Sequence, residues 1–591
     1  MPNRKINKNI FLITDVKLRK KKAWFFLKCP QPKISSQIEY IFIFLPKPIY
    51  NSPMKKKLLS IIFVLVCGCL LAQKNYEKSE AFDEFDGWTK LLQLRNNNTG
   101  LMEISKKEGV NFTLFNAQKK KISSGKLPLT KLGEKLNLVQ IEGVYDISGD
   151  YVAFIIGTAE DNKKKPVFYR LIIDGNNGKL KSEEVIGELD EMTMGAAYGM
   201  VFGDTDVPTF VIEKDPDSDY YAIIKYNTIA AETKDRIEVS HFGPDHKMIN
   251  KANYNTPTDK YKFTKFLSAY VHGSDYVLIG TSAFNTKKSG GEEVRYYVAQ
   301  LNKGKTLFVQ KELQYTEYTK SAKSYFIYNK PKNMVTMMLL LPVAKSNRWS
   351  QLNQNINPTS MALDKPYQAD YSKIESIYKT KMERKDEFGG MIQGSFVDKA
   401  GNLTFLIQQT IKKLGSGGMG MPAPVEATIF GDVALITMSP EGKEVSSALF
   451  PYSVYRKGDH DPFCYNSARK GRRVNSGFSP VSDNDWYYGI DFISTDNASY
   501  LFFNNTIDNM EKPENKEAGM IRGISGTNGV MYTYKGGTLK KEFMFGQPAD
   551  KKEAKFINPG SSDYNATTKT YCTVLTDPKL KKSTVVWTKL D

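Results

Sequence analysis

Histidine, cysteine and tryptophan are scarce in this 591-residue chain, at four, five and five residues. The histidines, His241, His246, His272 and His460, have no recurrent ligand spacing. A zinc site needs three or four ligands converging in tetrahedral geometry, so zinc chemistry is not expected. Nucleophile signatures are missing too: there is no G-x-S-x-G elbow, no S-x-x-K in a helical context and no S-x-D-x-G-x-T-W box. Sustained 3.6-residue periodicity is almost absent, which argues against a helical architecture. Only 187–197 and 369–385 are candidate short helices. The apolar run Leu58 to Ala72 is too short for a stable membrane-spanning helix.

That run has a different meaning. Met54 to Gln73 reads MKKKLLSIIFVLVCGCLLAQ, with Lys55, Lys56 and Lys57 as a basic start and small or polar residues at its end. This is the anatomy of a secretory signal peptide, with processing expected between Ala72 and Gln73. A lipid on Cys69 is the alternative exit, because Val66-Cys67-Gly68-Cys69 loosely follows a lipobox. Residues 1–53 show no period of 2 or 3.6, and the expectation is that they are upstream sequence rather than protein. The expected product is exported, and periplasmic, outer-membrane-associated or secreted, with no transmembrane segment in the mature chain.

This reading changes the charge argument. The formal net charge is +19, of which 1–53 supplies +9 and the three lysines +3, leaving +7 for the remainder. A basic balance ordinarily suggests nucleic acid; here most of the excess lies in segments expected to be removed, so no nucleic-acid partner is expected. Cys464 and Cys572 are the two cysteines left in the mature chain. They could form one disulfide or stand as separate thiols, since sequence does not bring them together.

The rest of the chain has β composition. Aromatics make up 12% of residues, and Val, Ile and Thr fill short runs between turn signals. Residues 73–87 read as a flexible lead-in, and 88–591 as one domain. A degenerate hairpin repeat runs through that domain. Asp150 to Ile156 pairs with Val167 to Ile173 and closes on Asn176-Asn177-Gly178-Lys179. Asp275 to Ile279 pairs with Val294 to Leu301 and closes on Asn302-Lys303-Gly304-Lys305. Asn402 to Thr410 pairs with Asp432 to Met438 before Pro440-Glu441-Gly442-Lys443, and Tyr500 to Asn504 pairs with Val530 to Tyr534. Another hairpin joins Phe210–Lys214 to Tyr220–Tyr226. Such units cannot bury both faces alone, so they must stack. At about 60 residues per unit the chain holds roughly seven or eight, a usual blade number. The predicted fold is all-β, a β-propeller of antiparallel blades closed by strands from both ends, with 553–590 giving three strands and Trp88–Leu94 the fourth.

Asp398-Lys399-Ala400-Gly401-Asn402, the loop 411–430, Gly431-Asp432 and Pro440 to Lys443 follow a pattern that resembles uncharacterised exported propeller-like proteins of Gram-negative bacteria. Tyr500 to Asn505 is similar to a later segment of the same group. The likeness covers mainly 385–590. It implies a propeller and no activity, and it assigns no functional residues.

Three constellations remain. Gly415-Ser416-Gly417-Gly418-Met419-Gly420 matches G-x-G-x-x-G, but Met421-Pro422-Ala423-Pro424 follows instead of a helix, so it is a hairpin loop rather than a dinucleotide site. Asp215, Asp217 and Asp219 alternate in a way that suits calcium, although Asp is also common in tight turns. Arg456 to Arg473 is the densest charged stretch. Within it, Arg469, Arg472 and Arg473 could grip an anion, His460 could act as acid or base, and Trp486 could offer a stacking surface. The functional expectation is a non-enzymatic binding or scaffold propeller of the cell envelope, its partner an envelope protein or an extracellular glycan. The alternative is an extracellular polysaccharide hydrolase or lyase with its site on the central propeller face, which an inward cluster of two carboxylates and two arginines drawn from different units would favour.

Overall fold

The repeated hairpins assemble into eight antiparallel sheets, six of four strands and two with additional short ones. In the computed structural model the described residues are 76–590, apart from 86, 106–107, 134–138, 159–164, 192–205, 231–232, 258–259, 286–292, 316–321, 344–347, 417–423 and 461–488. Seven sheets are meanders opened by Trp88–Gln93, Val139–Ile147, Thr209–Lys214, Phe263–His272, Lys323–Asn329, Gly390–Val397 and Asp491–Ser494. These are blades 1 to 7, with strands a to d in chain order. Blade 8 joins the two ends of the domain. Phe556–Ile557 and Asp563–Asn565 pair with Thr570–Asp577, then comes Lys582–Lys589, and Tyr76–Lys78 and Phe82–Asp83 lie outermost. The chain is an eight-bladed β-propeller closed by its N- and C-terminal strands.

The closing strand corrects one expectation. It comes from Tyr76–Asp83, inside the stretch read as a flexible lead-in, while Trp88–Gln93 opens blade 1. An outermost strand is solvated on its free side, so polar composition does not prevent it from pairing. Tyr76 meets Phe545 edge-on at 5.4 Å, Phe82 packs on the Leu91–Trp587 cluster, and Asp83 pairs with Lys582 at 2.6 Å. Of the two candidate helices, 369–385 holds a short one, Ser372–Ser376, continued by a wider turn. Strand Leu180–Glu188 takes the first two residues of 187–197, and 192–197 lie outside the described residues.

Core packing follows from blade stacking. Each consecutive pair of blades encloses one cluster of buried apolar side chains, and blade 8 packs on blade 1 through Leu91, Leu101, Phe115, Cys572, Val574, Val585 and Trp587. A middle strand is therefore covered on both faces. That is why Tyr151–Ile156 reads as an unbroken apolar run and Val167–Ile173 as one interrupted only by Arg170, rather than as alternating strands. The a strands touch in succession around the centre. A short turn at Pro559–Ser561 interrupts the first strand of blade 8, and Lys90 of blade 1, fully buried, donates to Ser562 O at 2.7 Å and Gly560 O at 3.3 Å.

Antiparallel meanders put the a–b and c–d turns on one face and the b–c and d–a connections on the other. The a–b turns are two to six residues long. At Asp398–Asn402 the Asp398 carboxylate accepts from Ala400 N, Asn402 N and Asn402 Nδ2, and Gly401 adopts φ +86°, where only glycine is unstrained. Its carbonyl accepts from Asn329 of blade 5. Thus the D-x-x-G-N pattern is a turn that also ties neighbouring blades.

Candidate functional site

The opposite face carries the long connections, and there blades 5, 6 and 7 contribute to one polar cluster. The blade 5–6 connection supplies Tyr378 and Arg384, blade 6 supplies Gln408, Gln409 and Asp432, and the b–c connection of blade 7 supplies Glu517. Asp432 sits at an irregularity in the b–c pairing of blade 6, where Gly431 and Asp432 oppose the single residue Gln409. The resulting bend turns its carboxylate toward Arg384. Arg384 Nε lies 3.2 Å from Asp432 Oδ2, and its NH1 lies 3.0 Å from Glu517 Oε1. Tyr452 N donates to Asp432 Oδ1 at 3.1 Å. Gln409 Nε2 donates to Tyr378 OH at 2.9 Å, and Arg384 N donates to Tyr378 O at 3.1 Å.

The two carboxyl groups stand in unlike surroundings. Asp432 is buried, with its side chain 7% exposed, whereas that of Glu517 is 80% exposed. Burial pushes the Asp432 pKa up; attraction to Arg384 opposes this without cancelling it. Gln408 pairs with Val433, the residue after Asp432, and Gln393 is the extra residue of the bulge between Ile392 and Gly394. The Nε2 atoms of both glutamines are buried without a hydrogen-bond partner. One arginine joins the two carboxylates, one fewer than the pair of arginines that would favour the enzyme reading.

None of the described residues singled out in the sequence as site candidates belongs to this cluster. Arg469, Arg472, Arg473, Trp486 and Cys464 fall outside the described residues. His460 is described: its amide donates to Thr428 Oγ1 at 3.0 Å, and Nε2 lies 2.8 Å from Lys457 O. Cys572 is fully buried in blade 8, and burial pushes its thiol pKa up. Gly415 N bonds Pro424 O within the blade 6 hairpin, and Gly417–Gly420 are not described.

The Asp215-Asp217-Asp219 alternation resolves into turn chemistry. Asp215 accepts from Asp217 N, Ser218 Oγ and Gly273 N of blade 4. Asp219 accepts both contacts of Arg95 NH2, at 2.6 and 2.7 Å, and Ser148 N at 3.0 Å. Asp217 pairs with Lys330 of blade 5 at 3.3 Å. The three carboxylates point to three different partners, and among the described residues no group of three His, Cys, Asp or Glu is placed to hold a metal ion. The same residues instead tie the a–b turns of blades 1 to 5 together. His241, His246 and His272 bond separately to Gly273 O, Tyr221 and Tyr270.

Glu103, on strand b of blade 1, is a further perturbed group. Burial, reinforced by repulsion from Glu108, raises its pKa to about 7. The folded state therefore holds this proton more tightly than the unfolded chain, whose carboxyl titrates near 4.5. Its stabilising effect is complete below about pH 4.5 and is lost as pH rises through 7. Glu103→Gln mimics the protonated form. It is expected to match wild type near pH 4.5 and to exceed it by about 2–3 kcal/mol at pH 8, as measured by urea unfolding at the two pH values. A difference independent of pH would contradict this.

No protein-family model matches the chain, and no curated protein matches it in sequence. The solved structures similar to it are distant. A prolyl endopeptidase aligns over 89% of this chain at 10% identity and TM-score 0.33, and the chain spans 60% of that protein's length. The β-propeller domain of the trilobed protease from Pyrococcus furiosus aligns over 76% of this chain and 94% of its own, at 10% identity and TM-score 0.32. The polysaccharide lyase Uly1 aligns over 78% and 94%, at 8% identity and TM-score 0.28. Likenesses this remote carry no argument about activity, nor do they bear on the resemblance to exported proteins of Gram-negative bacteria. Among the described residues no helix is long and apolar enough to cross a membrane.

Proposed function

We propose that this chain is an exported propeller that cleaves an extracellular polysaccharide, as a hydrolase or lyase, with Asp432 and Glu517 as its acid–base pair. The supporting observation is the Asp432–Arg384–Glu517 bridge: one buried carboxyl held toward protonation, one exposed carboxylate and a shared guanidinium, all on the face with the long connections. Glycosidic cleavage uses two carboxyl groups whose environments set one as acid and the other as base or nucleophile. In this reading Asp432 protonates the leaving oxygen, Glu517 activates water or removes a proton, and Arg384 offsets the developing negative charge. Export rests on the Met54–Gln73 pattern.

The test is incubation of the full chain with a panel of neutral and uronate-bearing polysaccharides, followed through new reducing ends and through absorbance of unsaturated sugars. Release from at least one polymer is expected. Binding in affinity electrophoresis with no release from any polymer would overturn the catalytic reading in favour of a non-enzymatic binding or scaffold propeller.

A further inference from the structure

The b–c hairpin of blade 6 extends beyond the blade. The strands run past Thr410, as Leu403–Leu414 and Val425–Met438, and a third, Val454–Lys457, pairs with the extended part. Val454 is bridged on its other side by Ile521, whose backbone also bonds Ser453 and Tyr455. The result is an anchored three-stranded tab on the face that holds Asp432.

Cross-strand partners share a face. One face carries Lys413, Ala427 and Lys457 in one row and Ile411, Ile429 and Tyr455 in the next. Arg522 stands over the Tyr455 ring, 5.0 Å from its centroid. Lys413, Lys457 and Arg522 are exposed, and none has an acidic partner among the described residues. The other face differs: it holds Glu426, and its Lys412 is neutralised by Asp459 at 2.5 Å. The cationic face is continuous with the candidate site. Gln409, two residues before Ile411 on the same face, bonds the Tyr378 hydroxyl, and Tyr378 accepts from Arg384.

We infer that this face of the blade 6 tab is a docking strip for an anionic glycan, a polymer bearing uronate or sulfate groups. The inference rests on the proposed polysaccharide-cleaving role and names its substrate class. Lys413 and Lys457 stand two interstrand spacings apart, ~10 Å, which suits sparse charges along a sugar chain. Duplex DNA carries one charge per about 1.7 Å of axis and would call for a denser basic surface. The capped Tyr455 ring is amphipathic, able to lie along a sugar face while Arg522 meets an acidic substituent.

The experiment measures binding of the full chain to polygalacturonate, dextran sulfate, neutral xylan and a duplex DNA by calorimetry at two salt concentrations. The expected result is salt-sensitive binding to one of the two acidic glycans, weakened at least about tenfold in K413E/K457E and unchanged in Lys412→Ala. Uronate and sulfate recognition are separated by which of the two polymers binds. Equal affinity for xylan, an unaffected double variant, or DNA binding as tight through the same lysines would overturn the inference. Cleavage of a neutral polymer without polyanion binding would sink the strip and leave the proposed activity standing. Polyanion binding through these lysines without cleavage would do the reverse.

Discussion

Removing the chain through Asp83 is expected to destabilise the propeller by about 3–6 kcal/mol and to make blade 8 the first part to open. Tyr76–Lys78 and Phe82–Asp83 complete blade 8 by pairing with Val586–Thr588 and Lys582–Ser583. Between them Ser79 N donates to Val585 O and Val585 N donates to Ser79 Oγ. At about 0.5–1.5 kcal/mol net for each hydrogen bond, with the partial burial of Phe82 and Tyr76 added, the loss falls in that range. It also leaves Lys582–Lys589 as an unpaired edge, which invites association between copies. Hydrogen exchange should show protection lost first in Lys582–Lys589 and restored when a peptide of residues 74–85 is added. Unchanged protection there would mean that the outer strand contributes nothing to closure.

The inner side of the same closure depends on Lys90. Its stem is fully buried and its ammonium holds two carbonyls of the turn that interrupts blade 8. Around it, Thr89 bonds Ser561, Gln93 N donates to Asp563 Oδ2 at 2.8 Å, and Asp491 of blade 7 accepts from Ser562 and from Tyr571 OH. Blades 7, 8 and 1 thus meet in one buried polar seam. Lys90→Ala strips two desolvated carbonyls of their donor and removes the packed stem, an expected cost of about 3–5 kcal/mol in urea unfolding. Lys90→Met restores the packing alone and should recover part of that loss. A Lys90→Ala cost below about 1 kcal/mol would show that the seam is held by its other members.

Much of this architecture can be read from residues alone, because a blade's middle strands carry the strongest signal. Tyr151–Ile156, Val277–Ile279 and Phe502–Phe503 are covered by blades on both sides, and the turns closing their hairpins need Gly or Asn at fixed places. At Gly442, with φ +81°, a Cβ would also strike the Tyr367 ring. The outermost strands carry little such signal. Tyr76–Asp83 looks like a polar leader because one side of it meets solvent, and its pairing is set by a partner some 500 residues away. The tab of blade 6 was hidden for a similar reason, since Lys412 and Lys413 resemble loop residues until Val454–Lys457 pairs beside them.

The candidate site was less legible. Gly431-Asp432 stood out as a pattern, but Arg384 and Glu517 come from connections on either side of it and have no shared spacing. Ring closure, not local sequence, brings three blades' connections together. Runs such as Asp215-Asp217-Asp219 mislead for the opposite reason: adjacent carboxylates in a tight turn fan out to separate partners, here Gly273, Lys330 and Arg95.

The most direct test of the account compares wild type with Asp432→Asn on the polysaccharide that wild type cleaves, with melting temperatures measured alongside. Asparagine keeps the shape and the Tyr452 contact but has no proton to give. The account predicts kcat lower by a factor of about 10² to 10⁴, KM changed little and the fold intact. Wild-type kcat in a folded Asp432→Asn protein would contradict it and place the chemistry away from the Arg384 bridge.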